Sequence, residues 1–241
     1  MNNEVIIIAE NNDYLIVDKP AGLLVHETSA HEPETLSNWL MQKYPEIKNL
    51  DWIDNTRIGI VHRLDKDTSG LTILAKNPEI LEKLQALFKS RQVKKTYQAL
   101  VVGRAPDEGK VNLAIVRDSQ KDMMKVQPIT FSFTKGTVRE ARTNYKTIKR
   151  YSYKKQVLSL VEVYPETGRM HQIRVHMKHE GFPLVGDQMY FNKPSKRLSK
   201  ELNIDRQFLH AVKLEIDGQT YNCELANDLK QILNKLKEHH E

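Results

Sequence analysis

The sequence contains a single cysteine, Cys223, among its 241 residues. One cysteine cannot form a disulfide within the chain or supply a cysteine cluster for a metal ion, and such scarcity is typical of proteins in a reducing compartment. No apolar run approaches the length of a membrane-spanning helix, and the N-terminus lacks the basic-then-apolar pattern of a signal peptide. We therefore expect a cytoplasmic protein.

The sequence also lacks a linker rich in Gly, Pro or Ser, an internal repeat and a low-complexity tract. Hydrophobic residues make up 39% of the chain and charged residues 28%, which is ordinary for a globular protein with a buried core. Because nothing in the composition divides the chain, we expect a single domain over residues 1–241.

Short runs of apolar and β-branched residues predict that strands dominate. These runs lie at residues 5–9, 14–18, 58–61, 71–75, 93–103, 111–116, 130–134, 143–148 and 157–164, with a closing hairpin at 207–216 and 220–225. Apolar residues at helical spacing predict helices at 36–44, at 78–88, before Gly181 and after Asn227. Residues 182–206 are expected to be irregular surface. The pattern indicates an α+β fold with a mixed, mostly antiparallel sheet and flanking helices.

The net charge of +6 favours a polyanionic partner. Positive charge is concentrated between residues 139 and 155, where Glu140 is the only acidic residue. The basic residues of this run are Arg139, Arg142, Lys146, Lys149, Arg150, Lys154 and Lys155. Such a run is either a solvated hairpin face or a surface that follows a nucleic-acid backbone.

A polar segment lies between the runs at 58–61 and 71–75. Its sequence is His62-Arg63-Leu64-Asp65-Lys66-Asp67-Thr68-Ser69-Gly70. The ending Thr-Ser-Gly is a turn signal, so the segment is predicted to be a loop between two core strands, which would hold its side chains in fixed positions. Asp65 is the candidate catalytic carboxylate, with Arg63 and His62 beside it. The alternative is a solvated turn in which Arg63 and Asp65 form a surface ion pair.

A metal-dependent hydrolase is a further alternative, with candidate ligands His62, Asp65, Asp67, His171 and His176. The two later histidines are five residues apart, which places them on different faces of a helix, and no ligand spacing typical of a metal site is present. We expect neither a metal ion nor another cofactor.

Five segments in a fixed order carry the strongest signal. His62-Arg63-Leu64-Asp65 is followed by Thr68-Ser69-Gly70, and Gly168 to His176 reads Gly-Arg-Met-His-Gln-Ile-Arg-Val-His. The other segments are Asp18-Lys19-Pro20-Ala21-Gly22, Lys95-Thr96-Tyr97-Gln98-Ala99 and Leu209-His210-Ala211. Together they resemble the RluA-type pseudouridine synthases over nearly the whole chain. The sequence begins almost directly with this pattern, so we expect a member without the small N-terminal RNA-binding domain that many relatives carry.

The resemblance implies a pseudouridine synthase fold with a basic cleft, and an isomerase that converts uridine in RNA to pseudouridine. It implies that Asp65 acts on the ribose, either by attacking the anomeric carbon or by removing the neighbouring sugar proton. Arg174, or alternatively Arg169, is expected to pair with Asp65 and keep it ionised. Tyr97 is expected to stack on the base and take its ring proton. Because uracil leaves as a delocalised anion and stays bound, one carboxylate can suffice where a glycosidase needs two.

The resemblance further implies that the target base is flipped out of structured ribosomal or transfer RNA. Side chains expected to contact the RNA are Arg63, His62, His171, Lys19, Arg142 and Lys146, with Lys193, Lys196 and Arg197 as additional contacts to the backbone. For His62 the alternative is that it orders its own loop through a backbone hydrogen bond. A catalytically silent RNA-binding protein on the same fold remains the alternative function. We expect a monomer without an obligatory protein partner.

Overall fold

The computed structural model describes residues 4–27, 34–118, 123–127 and 139–238. The strands, numbered in chain order, are β1 (Ile6–Glu10), β2 (Tyr14–Lys19), β3 (Ser69–Ala75), β4 (Lys94–Val102), β5 (Glu108–Asn112), β6 (Ala114–Asp118), β7 (Met123–Gln127), β8 (Arg142–Tyr153), β9 (Gln156–Pro165), β10 (Leu209–Ile216), β11 (Gln219–Asn222) and β12 (Lys237–Glu238). The α-helices are α1 (Leu36–Lys43), α2 (Pro78–Lys89), α3 (Gln172–His179), α4 (Lys193–Leu202) and α5 (Asn227–Asn234). Within these ranges, every helix is too short or too polar to cross a bilayer.

The chain forms two compact units. The first comprises Met1–Lys94 and Ala211–Ala226, and the second comprises Lys95–His210 and Asn227–Glu241. Each unit therefore contains residues that are distant in the sequence, because the chain leaves the first unit after β3 and α2 and returns to it in β10.

The first unit is built on strands in the order β1–β2–β3–β10, with β11 paired to β10. Side chains alternate along β2 and β3, so each strand contributes to apolar clusters on both faces. The cluster that includes α1 contains the buried residues Leu15, Val17, Leu36, Leu40, Trp52 and Leu74. The cluster that includes α2 contains the buried residues Ile16, Leu71, Ile73, Leu84 and Leu214.

The second unit is built on the order β4–β9–β8–β12, in which all neighbours are antiparallel and β5 pairs with β8. Strands β6 and β7 form a separate antiparallel ribbon. An apolar cluster joins this ribbon to α3 and contains the buried residues Ile115, Ala141, Val175 and Tyr190. Helix α3 is thereby fixed against the sheet and the ribbon of its own unit.

Most predicted elements are present, but two predictions are wrong. Residues 58–61 are buried turns rather than a strand, with only an isolated bridge from Ile60 to Leu74. Gly59 has φ +73° and lies tightly against Leu40, which bends the chain where extended backbone was expected. The predicted strand at 130–134 lies outside the described residues.

The second wrong prediction is the irregular surface at 182–206, because α4 occupies part of it. The helix begins with a capping box in which Asn192 and Ser195 exchange side-chain to backbone hydrogen bonds. It buries Leu198 and Leu202 on one face and is otherwise basic and polar. Two leucines among ten residues give too weak a periodicity to distinguish a helix from a loop.

Candidate active site

Asp65 lies in the loop that precedes β3, in the first unit. The loop is anchored by Leu64, which is buried, and by a turn in which the N–H of Thr68 donates to the carbonyl of Asp65 at 3.1 Å. Asp65 is half-buried, whereas Arg63 is exposed. The loop ends earlier than its Thr-Ser-Gly sequence predicts, because β3 already begins at Ser69. A short loop anchored at both ends keeps Asp65 in a defined position.

Lys19, at the end of β2, is completely buried and its ammonium faces backbone carbonyls. Its Nζ donates to the carbonyl oxygens of Pro20 at 2.8 Å, Leu23 at 2.9 Å and Lys66 at 3.0 Å. Three carbonyls match the three donors of an ammonium, so Lys19 ties the turn after β2 to the residue that follows Asp65. The prediction that Lys19 contacts RNA is wrong, because a fully buried ammonium presents no surface to a bound RNA.

His62 is held against the first unit by two contacts. Its Nε2 accepts a hydrogen bond from the N–H of Ile73 at 3.2 Å, so the neutral ring carries its proton on Nδ1. Its ring stacks on Phe88, with centroids 4.5 Å apart and planes inclined by 22°. These contacts match the alternative in which His62 orders its own loop.

Tyr97 lies in β4 of the second unit and is 8% exposed. It pairs with Val163 of β9, which pairs in turn with Tyr145 of β8, so the three side chains form a row across the sheet. Lys95 lies two residues before Tyr97 on the same face of the strand, and its Nζ would be 3.9 Å from a methyl group added at Gly168. Burial lowers the pKa of Lys95 to about 8. Lys95 was not among the predicted site residues, although it lies two residues before Tyr97 in the same segment.

Gln172 fixes the segment between β9 and α3. Its Oε1 accepts from the hydroxyl of Thr167 at 2.7 Å and the N–H of Arg169 at 3.0 Å. Its Nε2 donates to the carbonyl of Arg142 at 2.9 Å and the hydroxyl of Thr143 at 3.0 Å. All four hydrogen-bonding positions of a buried amide are used, which holds this segment firmly against β8.

Arg174 is buried in α3 and forms a two-pronged ion pair with Asp187. Nε donates to Oδ2 at 2.7 Å and Nη2 donates to Oδ1 at 2.9 Å. Oδ1 also accepts from the N–H groups of Met189 and Tyr190, both at 2.9 Å. Burial alone would raise the pKa of Asp187, but the hydrogen bond and charge of Arg174 and the two backbone donors outweigh it, so that the pKa lies below its ordinary value.

Tyr190 contacts both Arg174 and His171. The guanidinium carbon of Arg174 lies 5.2 Å from the centroid of the Tyr190 ring, within the range of a cation–π contact. The Tyr190 hydroxyl lies 3.0 Å from Nδ1 of His171 and accepts from the N–H of Met124 at 2.8 Å. His171 precedes α3 with a left-handed backbone at φ +56°, so it lies outside the helix that carries Arg174. Tyr190 instead contacts both side chains.

His176, in the same helix, belongs to the core. Its Nε2 lies 3.2 Å from the carbonyl of Leu113 and its Nδ1 lies 2.8 Å from the hydroxyl of Thr143. Burial lowers its pKa to about 4, so the ring is neutral at physiological pH. Both ring nitrogens are bonded within the protein, which disfavours the hydrolase alternative in which His176 binds a metal ion.

The basic run at 139–155 does not form an unopposed positive face. At least five of its cations are paired with carboxylates, in the pairs Arg142–Glu140, Lys146–Glu108, Lys149–Glu238, Arg150–Asp107 and Lys154–Glu201. The run is a hairpin face whose positive charge is compensated, in four of these five pairs, by carboxylates from outside the run. Its members Arg142 and Lys146 remain candidates for RNA contact, but an RNA phosphate would have to compete with these carboxylates.

The basic face of α4 is more open. Lys193, Lys196 and Arg197 are exposed on this helix. Lys196 lies over the ring of Phe191 at 4.7 Å, and Arg197 lies 3.7 Å from Glu201. A row of exposed cations beside a partly exposed aromatic ring is suited to contact with a nucleic-acid backbone.

Arg169 lies between Gly168 and α3 and is half-buried. Its Nε donates to the carbonyl of Glu140 at 3.2 Å, which holds it against the strand segment that leads into β8. The two arginines of the Gly168–His176 segment therefore have different surroundings: Arg174 is buried in an ion pair, and Arg169 lies nearer the surface.

The profile of the RNA pseudouridylate synthase family matches residues 13–179. Among solved structures, the human RNA pseudouridylate synthase domain containing 1 superposes with a TM-score of 0.73 at 24% identity, over 98% of this chain and 89% of that one. The human RNA pseudouridylate synthase domain containing 4 also superposes with a TM-score of 0.73 at 24% identity, over 96% of this chain and 94% of that one. These structures confirm the predicted α+β pseudouridine synthase fold.

Curated relatives give the same result. The chain is 37% identical to an uncharacterised RNA pseudouridine synthase of Chloroflexus aurantiacus over 92% of its own length and 66% of that protein's. It is 40% identical to the ribosomal large subunit pseudouridine synthase D of Pseudomonas aeruginosa, over 89% and 64%. It is 36% identical to the ribosomal large subunit pseudouridine synthase D of Yersinia pestis, over 96% of its own length and 70% of that protein's. The chain thus spans about two thirds of the length of these relatives, and it belongs to the RNA pseudouridylate synthase family.

Proposed function

We propose that this protein isomerises uridine to pseudouridine in structured RNA, with Asp65 as the catalytic carboxylate. The observation that carries the proposal is the position of Asp65: it lies in the family's His-Arg-Leu-Asp sequence and on a loop that is anchored on both sides by the buried residues Leu64 and Thr68. A carboxylate that must approach one carbon of a bound ribose needs such a fixed support.

The reaction breaks the bond between the anomeric carbon and N1 of uracil and forms a bond between the same carbon and C5. Asp65 either attacks the anomeric carbon or removes the neighbouring sugar proton, and uracil departs as an anion that stays bound. After rotation of the base, C5 attacks the sugar, its hydrogen is lost to water, and N1 takes up a proton. Uridine and pseudouridine are isomers, so the reaction needs no redox partner, metal ion or cofactor.

Arg174 is our first candidate for the cation that keeps Asp65 ionised, and Arg169 is the second. Arg174 is favoured because it is buried and already oriented by its ion pair with Asp187, so little side-chain entropy is lost when it engages a second carboxylate. Tyr97 is the candidate that stacks on the flipped base, since its ring lies in β4 beside Lys95 within one of the family segments.

For the RNA, we propose large-subunit ribosomal RNA as the first candidate, because relatives at 36% and 40% identity are named as ribosomal large subunit synthases. Transfer RNA is the second. Arg63 is the candidate that contacts the opened helix, and the exposed face of α4 with Lys193, Lys196 and Arg197 is the candidate track for the phosphate backbone.

The deciding experiment uses RNA that carries tritium at C5 of uracil, because that hydrogen is released only when the new carbon–carbon bond forms. Ribosomal and transfer RNA from a strain without the protein are incubated separately with wild type and with Asp65→Asn. We expect release by wild type from ribosomal RNA, and a loss of at least about 10⁴-fold in Asp65→Asn, the scale seen when a covalent catalyst is removed.

The outcomes separate the alternatives. Equal release by both proteins would exclude Asp65 from the mechanism. No release from either RNA pool, with RNA binding intact, would favour the catalytically silent RNA-binding protein. Replacing Lys193, Lys196 and Arg197 together by Gln should weaken RNA binding and lower its salt dependence, with the single-turnover rate at saturating RNA unchanged.

A further inference from the structure

The segment 187–190 lies beyond residues 13–179, which match the family profile, yet it contacts two side chains of the Gly168–His176 motif. Asp187 receives two hydrogen bonds from Arg174, and Tyr190 contacts Arg174 through its ring and His171 through its hydroxyl. Asp187 is 3% exposed and Tyr190 is 4% exposed. The segment is therefore a buried support beneath the motif.

The contacts restrain Arg174 in two ways. The two parallel N–H···O bonds to Asp187 fix the plane and the direction of the guanidinium, because both the carboxylate and the guanidinium are planar. The Tyr190 ring lies beneath the guanidinium and restricts its displacement. Asp187 is in turn held by the N–H groups of Met189 and Tyr190, so the carboxylate cannot rotate without losing four hydrogen bonds in all.

The Tyr190 hydroxyl extends the network to His171. It accepts a hydrogen bond from the N–H of Met124, so its own proton is available for Nδ1 of His171 at 3.0 Å. His171 has a left-handed backbone at φ +56°, a conformation that a non-glycine residue adopts only with support from its surroundings. The hydroxyl of Tyr190 supplies such support.

We propose that Asp187 and Tyr190 are positioning residues, which orient Arg174 and His171 for the reaction on RNA. The inference rests on the proposed function of Arg174 and goes beyond it, because neither residue belongs to the segments that resemble the family. A buried ion pair with a purely structural role would stabilise or destabilise the fold without changing the rate of the folded enzyme. The test must therefore separate rate from stability.

The first variants are Asp187→Asn, which keeps the shape of the side chain and removes its charge, and Tyr190→Phe, which removes only the hydroxyl. At saturating RNA we expect the single-turnover rate to fall about 100-fold in Asp187→Asn and about tenfold in Tyr190→Phe, because small displacements of catalytic groups have effects of this size. RNA binding measured separately should change less than about threefold.

The second unit offers a matched control. Arg206 and Asp228 form the same two-pronged pair, with Nε–Oδ2 at 2.6 Å and Nη2–Oδ1 at 2.8 Å, between the segment before β10 and helix α5. Asp228→Asn removes an ion pair of the same geometry away from the motif, at a carboxylate that is 41% exposed where Asp187 is buried. We expect it to lower the melting temperature while the single-turnover rate stays within about twofold of wild type.

A double-variant cycle tests whether Asp187 acts through Arg174. If it does, Arg174→Lys combined with Asp187→Asn should be no slower than Arg174→Lys alone. Rate losses that multiply would show that the two residues act independently and would overturn the inference. A folded Asp187→Asn variant with the wild-type single-turnover rate would also overturn the inference. If Asp187→Asn does not fold, Tyr190→Phe decides: an unchanged rate overturns the inference and a tenfold loss supports it.

A readout without RNA distinguishes this inference from the proposed function. In ¹H–¹⁵N spectra, the Nε–H of Arg174 should be a slowly exchanging signal that is absent in Arg174→Lys and moves or broadens in Asp187→Asn. The same signal should be unchanged in Asp228→Asn. If wild type released no tritium from any RNA while this signal behaved as expected, the proposed function would fail and the contact between Asp187 and Arg174 would stand. If wild type released tritium and Asp187→Asn changed neither the signal nor the rate, only the inference would be rejected.

Discussion

The ammonium of Lys19 donates a hydrogen bond to the carbonyl oxygen of Lys66, 47 residues later and directly after Asp65. The N–H of Gly22 donates to the same carbonyl at 3.0 Å. The segment Asp18–Gly22 is thus hydrogen-bonded to the loop that carries Asp65, through the carbonyl of Lys66. The backbone next to Asp65 is held by a lysine whose ammonium is fully buried.

Replacing Lys19 with Met should therefore destabilise the protein. Methionine fills a similar volume but leaves the carbonyls of Pro20, Leu23 and Lys66 without their shared donor. We expect the free energy of unfolding in urea to fall by about 2 kcal/mol, since the carbonyls of Pro20 and Leu23 each lose a donor at a cost of about 1 kcal/mol, whereas the carbonyl of Lys66 keeps the N–H of Gly22. Lys66→Met changes an exposed side chain and should alter this free energy by less than about 0.5 kcal/mol. Equal effects of the two substitutions would contradict the assignment.

Gly70→Ala should also be strongly destabilising. Gly70 has φ +114°, and a methyl group there would lie 2.4 Å from the backbone N and O of Ala211 in the neighbouring strand. Neither backbone can yield without breaking the sheet, so we expect a loss of about 3 kcal/mol or more in the free energy of unfolding.

Gly218→Ala is the matched control for Gly70→Ala. Gly218 has φ +72° in the turn between β10 and β11, with no atom within 4 Å of an added methyl group. It should cost only the backbone strain, about 1 kcal/mol. Similar losses in both variants would show that the close approach to Ala211 contributes nothing.

Lys95 should titrate near pH 8, because burial lowers its pKa to about that value. Between pH 8 and the pKa of 10.5 expected in the unfolded chain, the unfolded state binds more protons, so this residue makes stability rise with pH. Lys95→Met should accordingly raise the free energy of unfolding at pH 7, with a smaller gain at pH 10. Lys94→Met, at the exposed neighbouring position, should show no such difference between the two pH values. A pH-independent effect of Lys95→Met would refute the prediction.

His176 should make the protein sensitive to mild acid. Its pKa is lowered to about 4 by burial, against 6.5 in the unfolded chain, so the unfolded state takes up an extra proton between these values. Stability is therefore lost as the pH falls from about 6.5 to 4, at up to about 1.4 kcal/mol per pH unit. His176→Gln should reduce this slope in urea titrations at several pH values, whereas His179→Gln should reduce it less, because His179 is exposed and its charge is only a secondary cause of the lowered pKa of His176.

Much of the local structure could be predicted from the sequence because the signals act over a few residues. Asn77 caps α2 by accepting from the N–H of Ile80 at 2.9 Å, and Asn11 closes the turn between β1 and β2 by accepting from Asp13 and Tyr14. The apolar stripe of α2 packs against a core cluster of the first unit, as its helical spacing predicts. Helix α4 was missed because its stability comes from the cap and two buried leucines rather than from a periodic pattern.

The sequence by itself determined the family, through motifs whose order and spacing are visible without a structure, and it singled out Asp65, Tyr97, Arg169 and Arg174 as candidates. Only the tertiary structure decided which groups surround such residues. It placed the ammonium of Lys19 among carbonyls, paired Arg174 with Asp187, and compensated the basic run with carboxylates from distant positions. The physical reason is that a charged side chain takes its role from burial and from partners that are remote in the sequence, and neither is encoded in the residues next to it.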